Sequence, residues 1–317
     1  MLIKVLGSAA GGGFPQINCN CRNCADARAG KPGLRSRLQS SLAVSADGRA
    51  WVLLNASPDL RQQVAATPEL APPAHASPRA SPRASPRGSP IKAVVLTNGD
   101  VDHLAGLLSL REGFTFTVYA TERVLAALAA NRIFDVLDPR LVERVHLPVG
   151  RPLQLAGEGA GGLTLEAFAV PGKVALYLED ASAGPGLGTR EGDTIGLRIS
   201  EPASGAAFFY VPGCAAVDAA LATRLRDAPL VLFDGTLYDD EEMIAQGLSS
   251  KTGRRMGHIS MSGAEGTIAA FRGLGVKRRI FVHINNSNPV LREDSPERRA
   301  VESAGWEVAV DGMEIRL

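Results

Sequence analysis

The segment TNGDVDHLAGL, residues 97–107, is the most informative part of this 317-residue sequence. It follows a short apolar run at residues 93–96, and the pair Asp102-His103 begins an amphipathic, helix-like segment. Layered α/β folds place their chemistry beyond the carboxyl ends of strands, which is where this pair would lie. Alone, an Asp-His pair more often marks a helix cap followed by an exposed histidine. A metal site here therefore needs support from the rest of the chain.

Short β-branched or apolar runs recur on both sides of this segment and predict strands. Helical periodicity separates several of them, and strands mixed with helices favour sheets covered by helices in layers. The length of 317 residues suits one such domain, residues 1–317. The predicted strands are residues 2–6, 51–54, 93–96, 116–119, 174–178, 195–199, 207–211, 230–233, 280–283 and 306–310, and the predicted helices are residues 121–130, 217–225 and 264–274, with Gly275 as the last stop.

Residues 71–90 differ from this pattern. They contain HASPRASPRASPRGSP, a near repeat of Ala-Ser-Pro-Arg at residues 75–90. Repeated proline without apolar anchors cannot form a packed core, so we predict a disordered surface loop within the domain. An inserted linker explains this composition better than a basic arm that binds a partner.

The composition is that of an ordinary globular protein, with 45% hydrophobic and 21% charged residues. A formal net charge of +1 provides no field that would recruit nucleic acid or an anionic membrane, so we expect neither as a partner. The first residues lead directly into a strand-like run rather than a charged and then apolar leader, which predicts a cytoplasmic protein.

Three of the four cysteines, Cys19, Cys21 and Cys24, lie within six residues just after the first predicted strand. Clustered thiols indicate a metal site rather than a disulfide framework. Three thiolates in one loop suit tetrahedral zinc with one more ligand, so we predict a structural zinc. Three small buried thiols, or a catalytic role, are the alternatives.

The pattern Thr-x-x-x-x-Asp-His-x-x-Gly-Leu resembles the signature of the metallo-β-lactamase superfamily, in which Thr-His-x-His-x-Asp-His-x-x-Gly-Leu binds two metals. The resemblance implies an αββα sandwich, a four-layer α/β fold. It also shows where this sequence departs from the pattern. Asn98 and Asp100 replace the two leading histidines, Lys173 stands in place of a third, and Gly213 follows the strand that normally ends in a bridging aspartate.

These replacements all fall on the first metal and the bridge, according to the resemblance. The second metal's own ligands, Asp102, His103 and His283, persist, which predicts one catalytic metal. Two histidines and one carboxylate with open positions are the ligand set of mononuclear non-haem iron(II) oxygenases. Zinc also suits this set, so the sequence leaves both metals open. Asp100 and Lys173 could pair in the vacated pocket.

Several further segments together resemble the PqqB family, whose members are associated with biosynthesis of pyrroloquinoline quinone (PQQ). The match runs from end to end apart from the proline-rich insert, and it rests on CNCRNC, NASPDLRQQ, TNGDVDHLAGLL, YVPGC, FDGTLYDDEE, GHISM and HINNSNPVL. The family implies maturation of the cofactor from a Glu- and Tyr-containing precursor peptide, together with other proteins of the pathway. Quinone assembly requires oxygen to be added to a tyrosine ring, so we expect O₂-dependent hydroxylation at an iron(II) site.

The resemblance also suggests roles for residues around the metal. His258 is expected to donate or accept a proton, as relatives in the superfamily carry a histidine here, and Asp100 and Lys173 are further candidate catalytic residues. Asn98, Asp234 and Arg61 are candidate substrate-binding residues, Arg61 through a carboxylate; a surface helix arginine is the alternative for Arg61. Related phosphodiesterases complete their structural zinc with a histidine where this chain has Asn286, so the fourth zinc ligand is Asn286, a water or another group.

Two other functions stay open at this point. A metallohydrolase acting on a peptide or ester would work with zinc and without oxygen. A carrier that transports the finished quinone would bind it tightly without turnover. The loss of the bridging aspartate weakens the two-metal hydrolytic mechanism and favours the oxygenase.

Overall fold

The computed structural model describes residues 1–72, 88–155, 162–184 and 186–317. The predicted loop at residues 71–90 falls mainly on residues 73–87, which lie outside the described residues. The strands in the described part are β1 Leu2–Gly7, β2 Ser41–Ser45, β3 Trp51–Leu54, β4 Ile91–Val95, β5 Phe116–Ala120, β6 Val142–His146, β7 Pro152–Gln154, β8 Thr164–Ala169, β9 Ile195–Glu201, β10 Ala206–Val211, β11 Leu230–Asp234, β12 Arg278–Val282, β13 Glu307–Val308 and β14 Glu314–Arg316.

The helices connect these strands and cover the outer faces of the sheets. None of the helices in the described ranges has the length and apolar character needed to cross a bilayer. The α-helices are α1 Arg22–Arg28, α2 Leu60–Ala65, α3 Val101–Leu104, α4 Glu122–Ala130, α5 Ala219–Leu225, α6 Glu242–Ala245, α7 Thr267–Ala270 and α8 Pro296–Ser303. Short 3₁₀ helices lie at Pro68–Leu70, Ala105–Leu110, Arg132–Val136, Leu176–Leu178, Ala181–Ala183, Arg254–Met256 and Pro289–Leu291.

Two seven-stranded sheets form the centre of the molecule, in the orders β14-β1-β2-β3-β4-β5-β6 and β13-β12-β11-β10-β9-β8-β7. Side chains alternate between the faces of each strand. In β3, Val52 and Leu54 therefore enter the core between the sheets, whereas Trp51 and Leu53 pack against the outer helices. Burial on both faces explains the continuous apolar runs seen in the sequence. The predicted αββα sandwich is confirmed.

Parallel pairing places the candidate site at one edge of the sandwich. β4 pairs in parallel with β3 and β5, and β12 pairs in parallel with β11 and β13. The carboxyl ends of β4, β11 and β12 therefore open onto the same region. Two isolated β-bridges connect the segments around this region. Ala9, after β1, pairs with Ile284, after β12, and Asn98, after β4, pairs with Thr194, before β9.

Most predicted elements are present, but one strand is wrong and one helix is shorter than expected. Residues 174–178 form a loop with a 3₁₀ turn at Leu176–Leu178, and Leu176 and Tyr177 are exposed. A short apolar run does not specify a strand by itself, because a strand also needs a neighbouring strand with which to pair. The predicted helix at residues 264–274 is reduced to α7, and Gly273 beyond it adopts a φ of 75°, which no helix residue can have.

Candidate metal centre

The edge of the sandwich brings Asp102, His103 and His283 together, as the sequence predicts. Their ligand atoms lie within 4.8 Å of one another. Asp102 Oδ2 is 3.1 Å from His283 Nε2 and 3.8 Å from His103 Nε2. His103 Nε2 is buried and has no hydrogen-bond partner among the described residues. A buried nitrogen without a partner is unfavourable, so this donor set fits a metal ion that would accept its lone pair.

Hydrogen bonds fix the orientation of both imidazole rings. Asn98 Oδ1 lies 2.8 Å from His103 Nδ1, and Thr236 Oγ1 lies 2.9 Å from His283 Nδ1. Thr236 Oγ1 donates its proton to Asp234 Oδ1 at 2.6 Å, so it accepts a proton from His283. Each ring thus carries its proton on Nδ1 and presents the lone pair of Nε2 to the cavity. This is the arrangement by which neighbouring groups orient metal-binding histidines.

The protonation of Asp102 and His103 suits a cation. Burial raises the pKa of Asp102, but His103 and His283 lower it further, and the net pKa lies well below the usual range of a carboxyl. Burial lowers the pKa of His103 more than the nearby carboxylates raise it. A charged carboxylate and a neutral imidazole are the forms that bind metals.

His258 and Asp234 form a dyad beside this group. His258 Nδ1 is 2.7 Å from Asp234 Oδ2, and the His258 ring stacks on that of His283 with centroids 5.2 Å apart. Burial lowers the pKa of His258, but the carboxylate of Asp234 raises it by more. The net pKa of His258 therefore lies above the usual value of a histidine. Ligand atoms of Asp234, His258 and His283 also lie within 4.8 Å of one another.

Asp234 is nevertheless a poor metal ligand and a poor substrate-binding residue, and its predicted role needs correction. Its side chain is 0% exposed. Thr236 donates to Oδ1 from both its backbone N–H and its hydroxyl, and Oδ2 accepts from Cys214 N and faces His258. All of its lone pairs are therefore in use. Asp234 acts by holding His258 and Thr236 rather than by touching substrate.

A cavity of about 510 Å³ opens above the three candidate metal ligands. Asp100, Lys173, Asn98 and His258 all line it. The pairing considered for Asp100 and Lys173 is wrong, because the Lys173 ammonium lies 3.6 Å from Glu179 and donates to Val174 O. Asp100 Oδ1 instead accepts from Leu176 N at 3.4 Å.

Two of the predicted substrate-binding residues make other contacts than a substrate would require. Asn98 is buried, and its side-chain oxygen is occupied by His103, so it positions a metal ligand. Arg61 is exposed on α2 and lines a separate cavity with Leu70 and Phe114. That placement fits the alternative of a surface helix arginine, since Arg61 does not line the metal cavity.

The second predicted metal site is also assembled. The sulfur atoms of Cys19, Cys21 and Cys24 lie within 4.8 Å of one another. Asn286 places its Nδ2 at 3.1, 3.6 and 3.4 Å from these three sulfurs. In a tetrahedral zinc site with bonds of about 2.3 and 2.1 Å, neighbouring ligand atoms are about 3.6 Å apart. The carboxamide of Asn286 therefore stands at the fourth vertex, where a rotation of the amide would present its oxygen to the metal.

Asn23 ties the cysteine loop to the loop that follows β12. Its Nδ2 donates to the carbonyl oxygens of Asn286, Ser287 and Asn288 at 2.9–3.2 Å. Backbone amides also donate to the thiols, from Gln16 to Cys24 and from Cys21 to Cys19. Donors of this kind stabilise thiolates.

Comparisons with known proteins agree with this geometry. A family model described as a beta-lactamase superfamily domain matches residues 50–284. Proteins named "Coenzyme PQQ synthesis protein B" from Bradyrhizobium diazoefficiens and Rhodopseudomonas palustris are 50% and 52% identical to this chain, over at least 99% of both sequences in each pair. The chain belongs to the PqqB family. This membership assigns the chain to PQQ biosynthesis and to the metal-binding proteins of the superfamily.

Solved structures support the same assignment. The crystal structure of Zn²⁺-bound PqqB from Methylobacterium extorquens superposes with a TM-score of 0.91, at 49% identity over 100% of both chains. A diphosphatase of the PhnP family has a TM-score of 0.65 at 20% identity, covering 99% of this chain and 96% of its own. At that identity the similarity shows the fold alone.

Four residues that shape the cavity of this PqqB family member are absent from the sequence-based prediction. Thr236 holds His283, and Glu179, Lys251 and Arg255 line one wall. Thr236 follows Asp234 at a strand end, which is a signal that could have been used. Glu179 and Lys251 lie on loops and Arg255 lies in the 3₁₀ helix Arg254–Met256, and none of the three belongs to a recognisable motif.

Proposed function

We propose that this chain hydroxylates a tyrosine, or a tyrosine-derived intermediate of PQQ, at one iron(II) held by Asp102, His103 and His283. The observation that carries the proposal is the ligand set itself. It has two histidines and one carboxylate, with Asn98, Asp100 and Lys173 in place of the residues that would hold a second metal. Such a set with open positions is typical of non-haem iron(II) oxygenases.

When bound, iron(II) supplies the redox chemistry that O₂ requires for reaction with an aromatic ring. In the balanced reaction one oxygen atom replaces a ring hydrogen as hydroxyl. The other leaves as water, using two electrons from an added reductant and two protons. We further propose that a structural zinc is held by Cys19, Cys21 and Cys24, with Asn286 as the fourth ligand.

The side chains around the metal have separate tasks in this proposal. His258 exchanges a proton with the substrate phenol or the ring carbon, because its Nδ1 is held by Asp234 and only Nε2 is left to act. Asp100 and Lys173 line the same cavity and shape the substrate side. Burial of His103 and His283 keeps bulk water away from the reacting atoms.

The test compares the iron-loaded full chain with oxygen and without it, in the presence of ascorbate and a tyrosine-like substrate. We expect oxygen consumption and a hydroxylated product in air, and no product under anaerobic conditions. The zinc-loaded chain is the control and should not consume oxygen. Product formed with zinc and without oxygen would favour a hydrolase, and tight binding of PQQ without turnover would favour a carrier. Either result would contradict the proposal.

A further inference from the structure

One wall of the metal cavity carries more positive charge than its own acid can balance. Lys173, Lys251 and Arg255 line this wall together with a single carboxylate, Glu179. Arg255 Nη2 lies 3.3 Å from Glu179 Oε2, and Lys173 Nζ lies 3.6 Å from Glu179 Oε1. Three cations around one anion leave a formal charge of +2 on this wall. The other acids that line the cavity are Asp102, at the candidate metal site, and Asp100, which accepts from Leu176 N.

Lys251 is the least satisfied of the three. Its side chain is half-buried, and its ammonium has no hydrogen bond or ion pair among the described residues. The charge of Glu179 is already shared, since its pKa is raised by burial but lowered further by Arg255, Lys173 and Lys251. A cation that is partly withdrawn from water without a partner is stabilised by an anion that binds beside it.

We propose that Lys251, Arg255 and Lys173 form a subsite that binds carboxylates of the substrate. This rests on the proposed function, because a molecule built from glutamate and tyrosine carries carboxylates near its ring. Arg255 offers a planar guanidinium for bidentate binding, and the two lysines act as point charges. This wall would perform the task that the sequence suggested for Arg61.

The probe is benzene-1,3,5-tricarboxylate, whose meta-placed carboxylates cannot chelate one metal ion. Its binding to the zinc-loaded full chain is measured by isothermal titration calorimetry at low and at physiological salt, without turnover. We expect Lys251→Gln and Arg255→Gln each to weaken binding roughly tenfold. Glu179→Gln should tighten binding roughly threefold, because it removes the competing anion. Binding should weaken as salt rises.

Arg254→Gln is the matched control, because it makes the same charge change one residue away. Arg254 pairs with Glu265 at 2.6 Å and does not line the cavity. Its affinity for the probe should equal that of the wild type, and metal content should be equal in all variants. Equal affinity in Lys251→Gln, Arg255→Gln and Arg254→Gln would overturn the subsite, as would tighter binding of inorganic phosphate. If the oxygen assay fails but the variants show the expected changes in affinity, the proposed hydroxylation is wrong and the carboxylate subsite is still supported.

Discussion

His283 lies directly after β12 with a φ of 58°, in the left-handed region that non-glycine residues rarely adopt. This backbone conformation costs on the order of 1 kcal/mol or more and persists only where surrounding contacts enforce it. Here Thr236 holds Nδ1, and Nε2 faces Asp102 across the candidate metal site. The strain therefore lies at a position whose side chain is fixed for metal binding.

Removing this ring should separate the two metal sites. We expect His283→Ala to lose the metal in the cavity and to keep the metal on Cys19, Cys21 and Cys24, because the thiols need no group from His283. Elemental analysis of the full chain should fall from about two metal equivalents to about one. His146→Ala, at an exposed histidine of β6, should keep both. Two equivalents in His283→Ala would contradict the assignment of the ligands.

Asn98 offers a test of positioning without removal of a ligand. Asn98→Ala keeps His103 but removes the hydrogen-bond acceptor of His103 Nδ1. The imidazole ring then loses its fixed orientation. Loss of such a neighbour typically costs roughly 10- to 100-fold in metal affinity, and we expect that range in a competition titration with a chromogenic chelator. Asn98→Asp keeps an acceptor and should restore most of the affinity. Equal affinities in the wild type and Asn98→Ala would show that the hydrogen bond does not matter.

Among single residues, the sequence predicted that Asp102, His103 and His283 would lie together, which the structure shows, but it did not predict the groups that hold them. Asp102, His103 and His283 could be recognised because metal chemistry restricts residue types and the motif preserves their spacing. Asn98 was assigned to substrate because nothing in a sequence shows which atom its side chain reaches. Arg61 was misplaced for a similar reason, since the face of α2 that meets solvent depends on packing across the sheet.

At the scale of elements, α3 and the 3₁₀ helix that follows it lie very close to the end of β3. This close approach positions the Asp-His-x-x-Gly-Leu motif. Gly106 N donates to Ala56 O at 2.8 Å, and a Cβ on Gly106 would lie 2.1 Å from Ser57 O. Only glycine permits this approach, which explains the glycine in Asp-His-x-x-Gly-Leu. The chain carrying His103 is thereby held against the sheet.

Gly106→Ala should therefore destabilise the protein. The clash is with backbone, which cannot move aside without shifting β3, and we expect a loss of about 3 kcal/mol in the free energy of unfolding. Urea denaturation measures this loss. Gly88→Ala is the control, because a Cβ there meets no atom of the described residues within 4 Å. A change of less than about 0.5 kcal/mol in Gly106→Ala, similar to that of an ordinary surface substitution, would show that the contact is not constrained.

Elements buried on both faces were the most predictable. β3, β10 and β11 read as continuous apolar runs and occur where expected. β2 and β8 were missed because serines leave only three apolar residues in β2 and a glutamate interrupts β8, although β2 is entirely buried. Tertiary pairing with a neighbouring strand stabilises such segments, and this pairing is not visible in local sequence.

At the scale of the whole molecule, one loop after β12 connects both metal sites. His283 belongs to the cavity, and Asn286, three residues later, faces the thiols. Asn288 Nδ2 donates to the carbonyl oxygens of Gly235 and Thr236, so the same loop is anchored to the end of β11. The thiol cluster is thus linked to the chain that presents His283, and a metal bound to the thiols would help to hold His283 in place.

Glu242 is a buried acid that contacts this loop. We expect it to make the stability of the protein depend on pH. Its Oε1 accepts from Ser287 Oγ at 2.5 Å, and its Oε2 accepts from Tyr238 N at 2.8 Å. Burial raises the pKa of Glu242 to about 7 by more than these hydrogen bonds lower it. The folded protein therefore holds a proton that the unfolded chain releases near its ordinary pKa of about 4.3.

A raised pKa of this kind stabilises the fold at low pH. The contribution of Glu242 is complete below about pH 4, declines as the pH rises toward about 7, and is lost above that value, with a total of at most about 4 kcal/mol. Glu242→Gln keeps a neutral side chain at every pH. It should remove this decline and exceed the wild type in free energy of unfolding at pH 8, measured by urea denaturation between pH 5 and 9. Glu241→Gln changes an exposed neighbour and should follow the wild type. If the curves of Glu242→Gln and the wild type run parallel, Glu242 does not titrate between the folded and unfolded states, and another group must account for any pH dependence.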